Sequence, residues 1–442
     1  MAILTDQTSN SSDNSVRSSA QTLSKFRSDP LGFLRGTAST DDPAVQFRIG
    51  RTAIVLLNHP DLIEQVLVTD QEKYKKGPGL LRARSVLGEG LLTADGERHR
   101  ERRRSLQPAF HRNAVSSHLP EMIAQEDLAC TDWESGDLRD IHQEMGRLTL
   151  GVAAATIFGS RTPVNVSAVT TAVTEALSAV YGPLSVSGSG GHRSGCPHAA
   201  AASRKALDEA AASIVSGFRP GAAPSLPEIL AQDVADGLSE TEAMDEAVTF
   251  LIAGHESVAN ALTWTWVLLA QHPEWERAFH EEIDSLGAEA ISSLAGLETL
   301  SVTRNILSES MRLYPPAWMV SRESLEPVYI GEDGPYPAGT VVIAAQCVAH
   351  HDERYYPNPD VFDPDRWLPE AAAARPRYAY FPFGGGPRLC IGERFAWTEL
   401  MTTLVVLGRT WKFRLKDSHV PVPDPVVTLR PRDGAPMEIE RR

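Results

Sequence analysis

The sequence predicts a mainly α-helical protein with small β-sheets, folded around one long central helix. Three observations predict it. Ser239, with Glu242 three residues later, has the spacing of a capping box, and the apolar pattern it opens runs unbroken to Pro273. At about 1.5 Å per residue such a helix is roughly 50 Å long, enough to cross the whole molecule. Strand-like runs, by contrast, are few and short. Finally, Phe383-Gly384-Gly385-Gly386-Pro387-Arg388-Leu389-Cys390-Ile391-Gly392 holds glycine and proline at a density that excludes helix and strand up to Arg388. Ile391, Phe395, Ala396 and Leu400 then read as a buried helix, so Cys390 stands at a helix N-terminus, where the dipole and free N–H groups favour the metal-ligating thiolate.

Length alone, 442 residues, allows two or three domains, but no linker or repeat divides the chain. One domain over residues 29–442 is expected, preceded by a polar, disordered tail over 1–28. The tail holds no apolar run long enough for a signal peptide or a membrane span, which predicts a cytoplasmic protein without a membrane anchor. A formal net charge of −15 argues against nucleic-acid binding. Cys130, Cys196, Cys347 and Cys390 lie far apart, so no disulfide framework is expected and a reducing compartment fits.

The pattern Phe-x-x-Gly-x-Arg-x-Cys-x-Gly, met at Phe383, Gly386, Arg388, Cys390 and Gly392, resembles the haem-binding loop of the cytochromes P450, the haem-thiolate monooxygenases. The resemblance implies that Cys390 is the axial ligand of haem iron. Gly392, without a side chain, lets a large flat group lie against the backbone, and Arg388 meets its anionic edge. No Cys-x-x-Cys-His is present, so the haem b would be held without covalent attachment. The plainer alternative is a buried free cysteine in a glycine-rich turn.

From the N-terminus, Val45 to Asn58 reads as a hairpin around Gly50, followed by a helix from Pro60 to about Val68. Lys76 to Gly96, with five glycines, reads as a loop, where the family places a substrate-contacting segment. Asp95 to Arg104 is a charged helix on which His99 and Arg103 share one face. They match the family's pair of residues that reach the haem propionates. Arg98, Arg100, Arg102 and Arg104 form a basic island suited to steering an acidic electron donor. Val115 to Val180 is mainly helical, and the Gly- and Ser-rich stretch 185–202 falls where the family has a mobile lid. His192, Cys196 and His198 within it are one ligand short of a tetrahedral metal site.

Inside the central helix, Leu251-Ile252-Ala253-Gly254-His255-Glu256-Ser257 breaks local rules: a mid-helix glycine costs about 1 kcal/mol against alanine, and two polar groups interrupt an apolar stretch. Ala253, Gly254, Glu256 and Ser257 match the family's oxygen-groove motif, in which the helix bulges over the haem and an acid and a hydroxyl relay protons. Serine stands where the family has threonine, and its freer rotamer loosens proton delivery. A helix-interior serine also bonds back to a carbonyl one turn earlier. Glu309 and Arg312, neighbours on one helix face, match the family's Glu-x-x-Arg, with Arg366 as the third member of a structural charge network. Ala317 to Arg322 is extended and lines the pocket, Arg322 matching a further propionate-binding arginine. Val328 to Ala345 reads as short strands with turns at Gly331 and Gly339, and Trp411 to Leu415 and Val427 to Arg430 as closing strands.

The resemblance implies insertion of one oxygen atom from O2 into an apolar small molecule. Electrons would come from NAD(P)H through a separate ferredoxin reductase and ferredoxin. The runs EAVTFLIAGHESVANALTW, RLYPPAW and TLRP are most similar to those of bacterial carotenoid, terpene and fatty-acid hydroxylases, which puts an isoprenoid first and a fatty acid second. A peroxide-driven haem enzyme and a non-catalytic haem sensor are the readings from other classes.

Overall fold

The computed structural model of the chain describes residues 21–38, 42–49, 52–160, 197–220, 224–285 and 291–442, with 169, 171–173, 175 and 287. Residues 21–28 are helical rather than part of an irregular tail, and α1 (Pro30–Thr37) follows at once. The reason is aromatic packing: the rings of Phe26 and Phe33 meet edge-on at 5.7 Å, and Phe33 meets Phe47 at 5.4 Å.

Strands β1 (Ala44–Ile49) and β2 (Thr52–Leu57) form the predicted hairpin; its turn at Gly50 lies outside the described residues. β2 is also flanked by the parallel β8 (Val341–Ala344), which pairs with β5 (Val320–Ser324), and β5 with β3 (Tyr74–Lys76). The result is a five-stranded sheet ordered β1-β2-β8-β5-β3. The predicted helix after the hairpin is α-helical over Pro60–Glu64 and widens to a π turn over Gln65–Thr69.

Lys76 to Gly96 is not the expected loop. Short helices occupy Pro78–Arg82, with proline in the first turn, and Arg84–Leu87, stopped by Gly88 at φ 71°. Leucine, alanine and arginine between the glycines suit helix, which explains the difference. The hairpin β6–β7 (Val328–Ile330 and Asp333–Tyr336) turns at Gly331, φ 61°, as read from the sequence.

The helices that build the core are α2 (Gly96–Leu106), α3 (Arg112–Ala129), α4 (Ile141–Thr156), α5 (Pro197–Ser216), α6 (Leu226–Ala235), α7 (Glu240–Gln271), α8 (Pro273–Asp284), α9 (Ser301–Leu313) and α10 (Glu393–Thr410). α7 is the central one, capped by Ser239 and Glu242 as predicted, and it packs most extensively along α4. Close by, β12 (Pro436–Arg441) lies between β4 (Leu138–Asp140) and β9 (Trp411–Leu415) in an antiparallel sheet. β11 (Leu429–Pro431) pairs with β10 (Pro423–Pro425).

No helix among the described residues is long and apolar enough to cross a membrane. The stretch 185–196, with His192 and Cys196, and the side chain of His198 lie outside the described residues.

Candidate active site

From Asp245 to Leu269 every residue of α7 is buried except four: Ala253, Gly254, Glu256 and Ser257. These are the residues that broke local rules in the sequence. Ala253 is exposed although it sits mid-way along the most buried helix, so it faces an internal cavity rather than the outer surface. The helix stays α-helical here, without the expected bulge; Thr149 Oγ1 reaches across from α4 to the His255 carbonyl at 3.1 Å. Ser257 Oγ donates to the Ala253 carbonyl at 3.0 Å, while Glu256 Oε1 accepts from Thr428 Oγ1 at 2.7 Å. Acid and hydroxyl are thus adjacent in sequence but share no hydrogen bond. Burial raises the Glu256 carboxyl, opposed by Thr428 and by the charge of Arg430.

The cysteine loop is shaped by its glycines. Gly386, at φ 66°, is a position where a Cβ would lie 2.0 Å from the Leu67 carbonyl oxygen. Phe383 O accepts from Cys390 N–H at 3.0 Å, closing the loop that carries the sulfur. α10 begins at Glu393 with Gly392 as its N-cap, so Cys390 precedes the helix by three residues. The cysteine is exposed, yet burial pushes its thiol up to about 11; the Gly392 N–H pulls down, Glu393 pushes up further and Arg103 pulls down. A sulfur both open and desolvated lies in an interior cavity. The helix N-terminus does not by itself produce the expected thiolate, because desolvation outweighs the dipole; a bound metal cation deprotonates such a thiol outright.

Around this cavity cations outnumber anions. Arg103 donates to the Leu389 carbonyl at 2.6 Å, one residue from Cys390. His99 is buried and held neutral, its pKa lowered to about 4 by burial and then by Lys76, Arg388 and Arg103. Arg322 is buried with Nε unpartnered, and burial lowers it to about 10. Arg388 is held by Asp95 Oδ1 at 2.6 Å and the Tyr74 carbonyl at 3.0 Å.

Sequence reasoning missed two members. Lys76 Nζ donates to the Leu91 and Leu92 carbonyls at 2.8 Å each, and burial lowers it to about 7. Asp95, the N-cap of α2, accepts from Lys76 N–H as well as from Arg388. Neither carries a spacing signal: Lys76 is one of two adjacent lysines, and Asp95 reads as an ordinary cap.

These residues fit haem b. The nearest atoms to a Cβ on Gly392 would be those of Phe110, at 3.8 Å, and the Cys390 sulfur, at 4.0 Å, and one on Gly254 would approach only Ile157, at 3.5 Å. The protein's own packing therefore leaves both faces open to a flat group. The buried guanidinium of Arg322, its Nε unpartnered while NH1 donates to the Ser321 carbonyl at 3.0 Å, is what an anionic edge requires.

Three arginines of the basic island, on the other hand, are paired, and Arg104 is exposed. Arg102 is buried, on Glu246 at 3.0 Å and Asp233 at 2.9 Å, Arg98 lies 2.6 Å from Glu242, and Arg100 lies 2.5 Å from Glu97. The acids of α6 and α7 pair Arg102 and Arg98, while Arg100 pairs with Glu97 on α2 itself.

Glu309 and Arg312 form the predicted pair on α9, and Arg366 Nε approaches Glu309 Oε1 at 3.3 Å. Trp367 Nε1, unforeseen, donates to Glu309 Oε2 at 3.0 Å.

The sequence model of the cytochrome P450 family matches residues 21–185 and 221–435. Among curated proteins, the chain is 32% identical over 423 residues to a cyclooctatin synthase of Streptomyces melanosporofaciens, covering 91% of this chain and 88% of that one. It is 32% identical over 399 residues to a pentalenene oxygenase of Streptomyces avermitilis, covering 87% and 86%. Among solved structures, CYP175A1 from Thermus thermophilus superposes with a TM-score of 0.78 at 26% identity, covering 96% of this chain and 98% of that one. A family match along most of the chain and relatives 32% identical over nearly its whole length agree: the chain belongs to the cytochrome P450 family, monooxygenases that bind haem b without a covalent link.

Proposed function

We propose that this protein hydroxylates a terpene-sized isoprenoid, using O2 and electrons passed from NAD(P)H by a separate reductase and ferredoxin. The observation that carries the oxygenase reading is the break in burial at Ala253, Gly254, Glu256 and Ser257, on the helix that packs against α10, which follows the Cys390 loop. The terpene rests on the relatives: a pentalenene oxygenase and a cyclooctat-9-en-7-ol 5-monooxygenase are both 32% identical to this chain. They favour a cyclic terpene over a carotenoid or a fatty acid.

Haem bound through Cys390 supplies O2 reduction and C–H oxidation, favoured by electron donation from sulfur. The chain's residues do the rest. Cys390 presents the sulfur, while Arg103 ties its loop to α2. Lys76, His99 and Arg322 would hold the propionates of the bound group, backed by the Arg388–Asp95 pair. Phe383 closes the loop, and Ala253, Gly254 and Gly392 give the macrocycle room. Glu256 and Ser257 hold the protons that O2 reduction consumes.

The test is the optical spectrum of the reduced, CO-bound protein, wild type and Cys390→Ser, followed by spin-state titration with cyclic terpenes and C14–C18 fatty acids. Expected are a strongly red-shifted Soret band lost in Cys390→Ser and a spin shift with terpenes. An unshifted wild-type band overturns the haem-thiolate reading, and a response to fatty acids alone overturns the substrate class.

A further inference from the structure

A line of hydrogen bonds leads away from Glu256, and Ser257 has no part in it. Thr428 Oγ1 donates to Glu256 Oε1 at 2.7 Å, Asn260 Nδ2 donates to Thr428 Oγ1 at 3.0 Å, and His142 Nε2 lies 3.0 Å from Asn260 Oδ1. Three elements meet here: α4 brings His142, α7 brings Glu256 and Asn260 one turn apart, and the bend before β11 brings Thr428. Thr428 is fixed through its neighbour, since Leu429 N–H donates to the Pro316 carbonyl at 2.9 Å and Leu429 O accepts from Trp264 Nε1 at 2.9 Å. Asn260 is completely buried, so neither end of its amide has water as an alternative partner.

The order of donors follows from counting protons. Thr428 has one hydroxyl proton, and it is given to the Glu256 carboxylate. Thr428 must then accept from Asn260, which turns the amide oxygen to His142, whose Nε2 must carry the proton. Every donor therefore points toward Glu256. Oε1 takes the Thr428 proton, and Oε2, which accepts no hydrogen bond among the described residues, is left as the oxygen that gains and loses a proton.

We propose that Thr428, Asn260 and His142 are positioning residues for Glu256: a directional chain that pins Oε1, keeps Oε2 toward the cavity and requires the Nε2–H tautomer of His142. His142 is half-buried and lies at the outer end, faced by Asp140 on its own helix cap and by Arg430 from β11. Arg430 also faces Glu256 and is itself tied to Asp424, at 3.4 Å, so one cation biases both ends toward an ionised Glu256 and a neutral His142. The proposal rests on the reading of Glu256 as the acid that handles protons during O2 reduction.

The test uses the haem-loaded protein and two readouts. The first is the 15N spectrum of His142 at neutral pH, assigned through His142→Gln; the Nε2–H tautomer is expected, and the Nδ1–H tautomer overturns the chain. The second is turnover and its pH profile. Thr428→Val is expected to lower kcat about tenfold, the worth of one hydrogen bond to a charged group. Its KM and CO-bound spectrum should stay unchanged, and electrons should be diverted to peroxide. His142→Gln, which keeps a donor, should stay near wild type, while His142→Phe moves toward Thr428→Val. An unchanged peroxide fraction and pH profile in Thr428→Val, when Glu256→Gln alters both, overturns the positioning role. No change in Glu256→Gln removes the acid role of Glu256 and the chain's purpose with it, whereas the tautomer is read independently of either.

Discussion

Glu309 and Arg312 meet through two parallel hydrogen bonds, Nε to Oε2 and NH2 to Oε1 at 2.8 Å each, with neither side chain exposed at all. Glu309 also accepts from Asp363 N–H at 3.1 Å and Trp367 Nε1 at 3.0 Å, and Arg312 donates to the carbonyls of His350, Pro359 and Val361. The pair thus ties α9 to the segment that leads into the cysteine loop. Glu309→Gln leaves the Arg312 charge buried without its counter-ion, and the expected cost is about 3–5 kcal/mol. Arg366 has its Nε outside hydrogen-bond geometry, so Arg366→Gln is expected to cost only about 1–2 kcal/mol. Urea unfolding of the holoprotein measures both, and equal costs would show that the network does not centre on Glu309.

Arg322 carries a buried guanidinium with one unpartnered nitrogen. Arg322→Met removes that uncompensated charge, so the apoprotein is expected to be no less stable than wild type. Haem should be lost about tenfold faster, the worth of one charged hydrogen bond. Transfer to excess apomyoglobin measures the rate; unchanged retention would place the propionates elsewhere.

Ser257 bonds back to Ala253 and so spends its hydroxyl on its own helix. Ser257→Thr adds a methyl that restricts the rotamer, and it is expected to raise product formed per NADPH. Ser257→Ala is expected to raise the peroxide fraction. The measurement is peroxide and product per NADPH consumed, and a flat response in both variants would leave Ser257 only its back-bond.

Glu126 on α3 is fully buried, and burial pushes its carboxyl from 4.5 up to about 8 against the hydrogen bonds of Thr402 and Thr403. Below pH 4.5 it is protonated in both folded and unfolded chains. Above that the unfolded chain releases its proton first, so stability falls as pH rises toward 8, by about 1.4 kcal/mol per unit. Glu399 on α10, raised by burial and by Glu126, adds to the same slope. Glu126→Gln is expected to flatten the fall between pH 5 and pH 8, read from urea midpoints; an unchanged slope would mean that Glu126 ionises freely in the folded protein.

The outcome for each element divides by distance along the chain. The caps of α7, the β1–β2 hairpin, the turn at Gly331 and the Glu309–Arg312 pair are set by residues a few positions apart, and all were legible. So was Cys390, because three glycines and a proline leave its loop few conformations. What sequence could not tell was where long-range packing would send each charge. Arg102 and Glu246 are 144 residues apart, Arg388 and Asp95 293, and Glu256 and Thr428 172. No spacing rule links residues so distant; only the docking of α2, α7 and the β10–β11 hairpin brings them within about 3 Å of one another. The same holds for the Cys390 thiol. Its place near a helix N-terminus is local and readable, whereas its desolvation is a property of the whole cavity and decides the sign of the shift.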